Sequence, residues 1–149
     1  MAVSSLEDHL GFWMRKVSNH VSQAFAERIA GKGVTVAEWC LLRTLYGREP
    51  AAPSRLAQDM GMTRGAITRL ADRLIAKALV IRAADERDGR GQTLVLSVRG
   101  AALVPQLAME ADENEETFFA SLSAEERGTL EHLLRRIAAH GRMTEVPCS

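Results

Sequence analysis

The chain has 149 residues, 19 basic against 19 acidic, and 46% hydrophobic side chains. That is one domain's length, enough to bury a core without disulfide or metal staples. Its two cysteines, Cys40 in an apolar run and Cys148 near the end, exclude a disulfide framework and point to a reducing, cytoplasmic setting; the opening MAVSSLEDHLGFW lacks a signal-peptide pattern, and no stretch reaches the roughly 20 apolar residues that span a bilayer.

In chain order, Leu6, Leu10, Trp13, Val17, Val21, Phe25 and Ile29 step by three or four, which predicts a long amphipathic helix ended by Gly31 and Gly33. Thr35 with Glu38 three residues on reads as a capping box opening a second helix, with Trp39, Leu42 and Leu45 inward and Gly47 at its end. Pro53 suits the first turn of a short third helix that runs to Gly61. Thr63 caps a fourth, with Ile67, Leu70, Ala71, Leu74 and Ile75 on its apolar stripe. The period then changes: Leu79–Ala83 and Thr93–Val98 are β-prone and flank a charged turn, a hairpin. Helix returns from about Ala101 to Leu122, and again after Ser123, whose partner in a capping box is Glu126, carrying Leu130, Leu133, Leu134 and Ile137.

Short helix, tight turn, amphipathic helix and hairpin in succession make a winged helix-turn-helix. The fold class expected is therefore mainly α with a small β-hairpin wing, a core over about 35–99 flanked by helices over about 4–31 and 101–141 within one domain. With the fourth helix's stripe turned inward, its outer face displays Gly65, Thr68, Arg69, Asp72 and Arg73. Gly65 admits close backbone approach, Thr68 offers a methyl or hydroxyl, and Arg69 offers a fork for guanine, while Arg64 and Arg73 suit phosphates. Charge is also unevenly distributed. Thr63–Arg82 holds five basic residues (Arg64, Arg69, Arg73, Lys77, Arg82) and one acid, whereas Glu110–Glu131 holds eight acids and one base. One face is thus suited to polyanions and another is not.

Residues 52–100, APSRLAQDMGMTRGAITRLADRLIAKALVIRAADERDGRGQTLVLSVRG, resemble the core of the MarR family of bacterial transcriptional regulators. The resemblance is carried by Leu56–Ala57 in the short helix, Gly61 at the turn, and Thr68, Arg69, Asp72, Arg73 and Leu74 in the recognition helix. It continues through Leu79, Val80 and Arg82 into the wing, Asp85, Arg87, Asp88 and Arg90 at its tip, and Leu96, Ser97 and Gly100 at the exit. It implies a homodimeric repressor of double-stranded DNA that reads a pseudo-palindromic operator and responds to a ligand. Thr63, Arg64, Gly65, Thr68, Arg69, Arg73, Arg82, Arg87 and Arg90 would meet the DNA, Arg90 in the minor groove, with Asp85 and Asp88 orienting the wing. The first and the last two helices would carry the dimer. A small aromatic or phenolic effector would have Trp13, Lys16, His20, Trp39 and Arg43 as its candidate contacts, although both tryptophans lie on apolar stripes that also favour core packing.

Other classes find less in the chain. No G-x-S-x-G, H-E-x-x-H, P-loop or dinucleotide glycine pattern occurs, and His9, His20, His132 and His140 have no metal-ligand spacing, so neither enzyme nor metal cofactor is expected. A winged-helix module that binds only protein would not need a cationic recognition face. An oxidation-responsive regulator would rest on Cys40, in a buried-looking stretch of the second helix, or on Cys148, which is terminal, and neither position suits a redox sensor.

Overall fold

A computed structural model of the chain describes residues 1–85 and 91–140. A 3-10 turn (Leu6–Asp8) precedes α1 (Leu10–Ala30), α2 (Val36–Leu45), α3 (Pro53–Met60), α4 (Arg64–Ala76), β1 (Val80–Ala84), β2 (Gln92–Leu96), α5 (Val98–Phe118) and α6 (Ala124–His140). The predicted caps form. Thr35 Oγ1 accepts from the Glu38 amide at 3.1 Å while Glu38 Oε1 accepts from the Thr35 amide at 2.8 Å, and Ser123 and Glu126 make the same reciprocal pair at 3.1 and 2.9 Å.

The core is one cluster in which Ile29, Leu41, Leu42, Leu56, Ile67, Leu74 and Leu107 are fully covered. It joins α1 and α5 to the three helices, α2, α3 and α4, and the hairpin of the winged lobe. The strands pair antiparallel, Val80 opposite Leu96 through Ala84 opposite Gln92. A third backbone segment adds to the hairpin, since Ala51 and Leu94 exchange amide bonds at 3.1 and 2.8 Å. The wing is thereby anchored to the loop that enters α3.

Several boundaries differ from the sequence reading for identifiable reasons. The first helix begins at Leu10, because Ser5 and Asp8 close a separate turn in which the Ser5 amide donates to Asp8 Oδ2 at 3.0 Å. The fifth begins at Val98, not Ala101, because Ser97 is its cap: Ser97 Oγ accepts from the Gly100 amide at 3.0 Å and donates to the Ala78 carbonyl at 2.7 Å. Val98, read as strand, is 90% exposed on the first turn of that helix. The same helix ends at Phe118, not Leu122, and passes through Pro105 at an exposed position where water can satisfy the unpaired carbonyl. Trp13 is not core in the single chain, being 45% exposed, and Trp39 is only partly covered.

A partly buried ion pair ties α2 to the end of α4. Glu38 is fully covered, and Lys77 Nζ reaches its two carboxylate oxygens at 2.8 and 3.0 Å and the Gly33 carbonyl at 2.7 Å. Burial pushes the Glu38 pKa up, but the hydrogen bonds and charge of Lys77 and the Thr35 amide outweigh it and hold the group below its ordinary 4.5. Because the folded pKa is the lower one, the pair stabilises the fold at neutral pH, and that contribution disappears as pH falls below 4.5 and through the folded value. Lys77→Met should therefore cost about 2 kcal/mol at pH 7, less than a fully buried pair because Lys77 is partly solvated. The gap from wild type should narrow toward pH 4 in denaturant titrations; a cost independent of pH would contradict the assignment.

Candidate nucleic-acid interface

The turn between α3 and α4 depends on Gly61, whose φ of 64° lies in the left-handed region; the Met62 amide then donates back to the Ala57 carbonyl at 2.9 Å. Thr63 opens α4, its Oγ1 accepting from the Ala66 amide at 3.1 Å. Ile67, Leu70, Ala71 and Leu74 are buried, as the periodicity required, while Arg64, Gly65, Thr68, Arg69, Asp72 and Arg73 are exposed. Thr68 donates its hydroxyl to the Arg64 carbonyl at 3.0 Å, so what it offers outward is a methyl group and an acceptor lone pair. A Cβ at Gly65 would meet only Arg69 Nη1 at 3.6 Å, so the chain's own packing does not demand glycine there.

Several arginines elsewhere on the surface carry ion pairs. Arg28 pairs with Glu110 and Glu113, Arg48 with Asp59, Arg127 with Glu116 and Arg135 with Glu131. Arg64, Arg69 and Arg73 have no ion pair among the described residues. Arg82 leaves β1 to pair with Asp72 on α4, an exposed link that orients the hairpin against the helix and contributes little energy. That role was not visible in the sequence, where Asp72 stood simply as an acid among cations. Asp85 closes the hairpin through its amide, which donates to the Gly91 carbonyl at 2.9 Å. Arg87, Asp88 and Arg90 lie outside the described residues.

The five candidate effector contacts are not gathered into one cavity in the single chain. Lys16 stands over the Trp13 ring at 5.5 Å, and Phe12 meets Trp13 edge-on at 5.5 Å. Trp39 packs edge-on against Phe25 at 6.1 Å, Arg43 stands over Tyr46 at 5.8 Å, and His20 is exposed. Cavities between α5 and α6, between α1 and α5, and beside the end of α4 are lined by other residues. Cys40 is partly covered in α2, and Cys148 lies outside the described residues. Among the described residues no helix is long and apolar enough to cross a membrane and no group of side chains could hold a metal ion.

A winged helix with an unpaired cationic recognition face defines a class, and comparison with known proteins narrows it. A family model described as MarR family matches residues 32–91. The multiple antibiotic resistance protein MarR of Escherichia coli is 27% identical over 129 residues, 86% of this chain and 90% of that protein. A solved structure of a probable transcriptional regulator from Pseudomonas aeruginosa is 32% identical, covers 89% of this chain and 99% of its own, and has a TM-score of 0.82. A mutant MarR from Escherichia coli complexed with operator DNA is 27% identical, covers 86% and 92%, and has a TM-score of 0.80. The chain belongs to the MarR family of transcriptional regulators. The proteins it resembles are regulators, not enzymes.

Proposed function

We propose that the chain is a homodimeric, cytoplasmic repressor that binds a pseudo-palindromic double-stranded DNA operator and releases it in response to a small aromatic or phenolic effector. The observation that carries the DNA reading is the outer face of α4, where Arg64, Arg69 and Arg73 lie unpaired beside Gly65 and Thr68, with the hairpin fixed alongside through Arg82 and Asp72. A helix of this width enters a major groove, and an unpaired arginine there can fork onto guanine without first breaking an ion pair. Thr63 and Arg64 at the helix start suit the phosphates, as does Arg73. Arg87 and Arg90 take wing contacts, Arg90 in the minor groove, and Asp85 and Asp88 orient them. The relative solved with operator DNA supports this arrangement.

Dimerisation has its own support. Leu130, Leu133, Leu134 and Ile137 on α6 and Leu10, Trp13, Met14 and Val17 on α1 are exposed in one chain, and α6 buries no residue at all. That apolar stripe is uncovered in the single chain, and a second copy is its natural cover. The effector part rests on the family and on the exposed Trp13 and Lys16 beside half-buried Phe12, aromatic rings with a cation over them.

Arg69→Ala tests the base-reading role. It should cost roughly 1 to 3 kcal/mol at one base position and relax preference there. An equal loss on every duplex would make Arg69 a phosphate contact.

A further inference from the structure

A cavity of about 590 Å³ opens where the α1–α2 turn, the end of α4 and the first turns of α5 converge. It lies at the far end of α4 from Arg64 and Gly65, about 20 Å along a helix of 13 residues. Lys32, Lys77 and Arg99 line it with Gln106, Leu79 and Leu103, and no described lining residue is acidic. The three cations are not equivalent. Lys77 is neutralised by Glu38, whose carboxylate it holds at 2.8 and 3.0 Å. Lys32 reaches only the Gln106 side-chain oxygen at 3.3 Å, and Arg99 only the Lys77 carbonyl at 3.4 Å. Neither has a carboxylate partner among the described residues. Two uncompensated positive charges therefore face one concave space, and their present acceptors are neutral and held at long distances. An arginine fork and a lysine point charge together match a compact anion carrying two charges.

We infer that this cavity is a binding site for a small dianion, a phosphate monoester or a dicarboxylate, distinct from the DNA-facing surface and from the candidate effector contacts on α1 and α2. Arg99 supplies the fork, Lys32 closes on the opposite side, and Leu79 and Leu103 cover an apolar body. Lys77 forms the wall, so the occupant sits against the residue that ties α4 to Glu38. The inference stands whether or not the chain binds DNA.

The test is an NMR titration of the isotope-labelled full-length protein with inorganic phosphate at mildly alkaline pH, with ionic strength held constant by sodium chloride, and a parallel titration with succinate. Saturable amide shifts centred on Gly33, Lys77 and Gln106 are expected with at least one of the two anions, and the tighter of them identifies the chemistry. Arg99→Gln should weaken that binding about tenfold, the loss of one charge-assisted contact, with Lys32→Gln as the second variant and the melting temperature as the check on folding. Shifts that stay linear with both anions, that centre on Arg64–Arg73, or that persist unchanged in both variants would overturn the site. DNA affinity is measured separately, so a failure here leaves the proposed function standing and the reverse also holds.

Discussion

Gly100→Ala is expected to destabilise the protein by about 3 kcal/mol and to lower its melting temperature by about 10 °C. The position lies in the first turn of α5, where alanine would ordinarily gain roughly 1 kcal/mol over glycine from helix propensity. Here a Cβ would overlap the Leu79 carbonyl oxygen and stand 3.1 Å from its carbon. No side-chain rotation relieves that, because the obstacle is backbone, and the same carbonyl accepts from the Ser97 amide at 3.0 Å. The strand and the helix would have to separate at the junction where the wing meets α5. Ser97→Ala provides the scale, since removing that cap alone should cost about 1 kcal/mol. Thermal melts at one protein concentration decide the matter, and an unchanged or higher midpoint for Gly100→Ala would contradict the close approach.

Paired charges in the α6 stripe should have the largest functional effect. Leu134→Asp with Ile137→Asp places two carboxylates on a face that is exposed in the single chain and, in the proposed assembly, covered by a second copy. The molar mass by light scattering should fall from twice 16.3 kDa to 16.3 kDa. With only one recognition helix engaged per particle, affinity for a two-half-site duplex should drop by about 10² or more, the advantage that linked binding provides. Far-ultraviolet circular dichroism should change little, because α6 contributes no residue to the buried core. Wild type already at 16.3 kDa would remove α6 from the interface.

The elements that periodicity specifies were legible. The stripe Ile67, Leu70, Ala71 and Leu74 is buried as the spacing demands, and Thr35, Thr63 and Ser123 cap helices through the bonds their residue types imply. What escaped depends on residues distant in sequence. Glu38 was read as half of a capping box and fills that role, but its second partner lies 39 positions away on the end of α4. Asp72 and Arg82 were read apart, as an odd acid and a DNA contact, because nothing local reveals that a helix face and a strand converge. Val98 alternates like a strand residue yet opens a helix, because Ser97 finds its acceptor at Ala78 across the hairpin. Trp13 lies on an apolar stripe, and the stripe is real; in the single chain nothing packs over it to make it core. An amphipathic pattern specifies that a face needs covering and leaves unsaid which chain covers it.

The central claim, that the outer face of α4 and its wing read duplex DNA, is tested most directly by selecting binders from a random duplex pool and measuring the enriched sequence across salt. The account predicts enrichment of a pseudo-palindrome with half-sites about one helical turn apart. It also predicts affinity falling about 10³-fold or more between roughly 50 and 200 mM salt, as phosphate neutralisation requires. A pool that emerges unenriched, with binding that is weak and indifferent to salt, would contradict it.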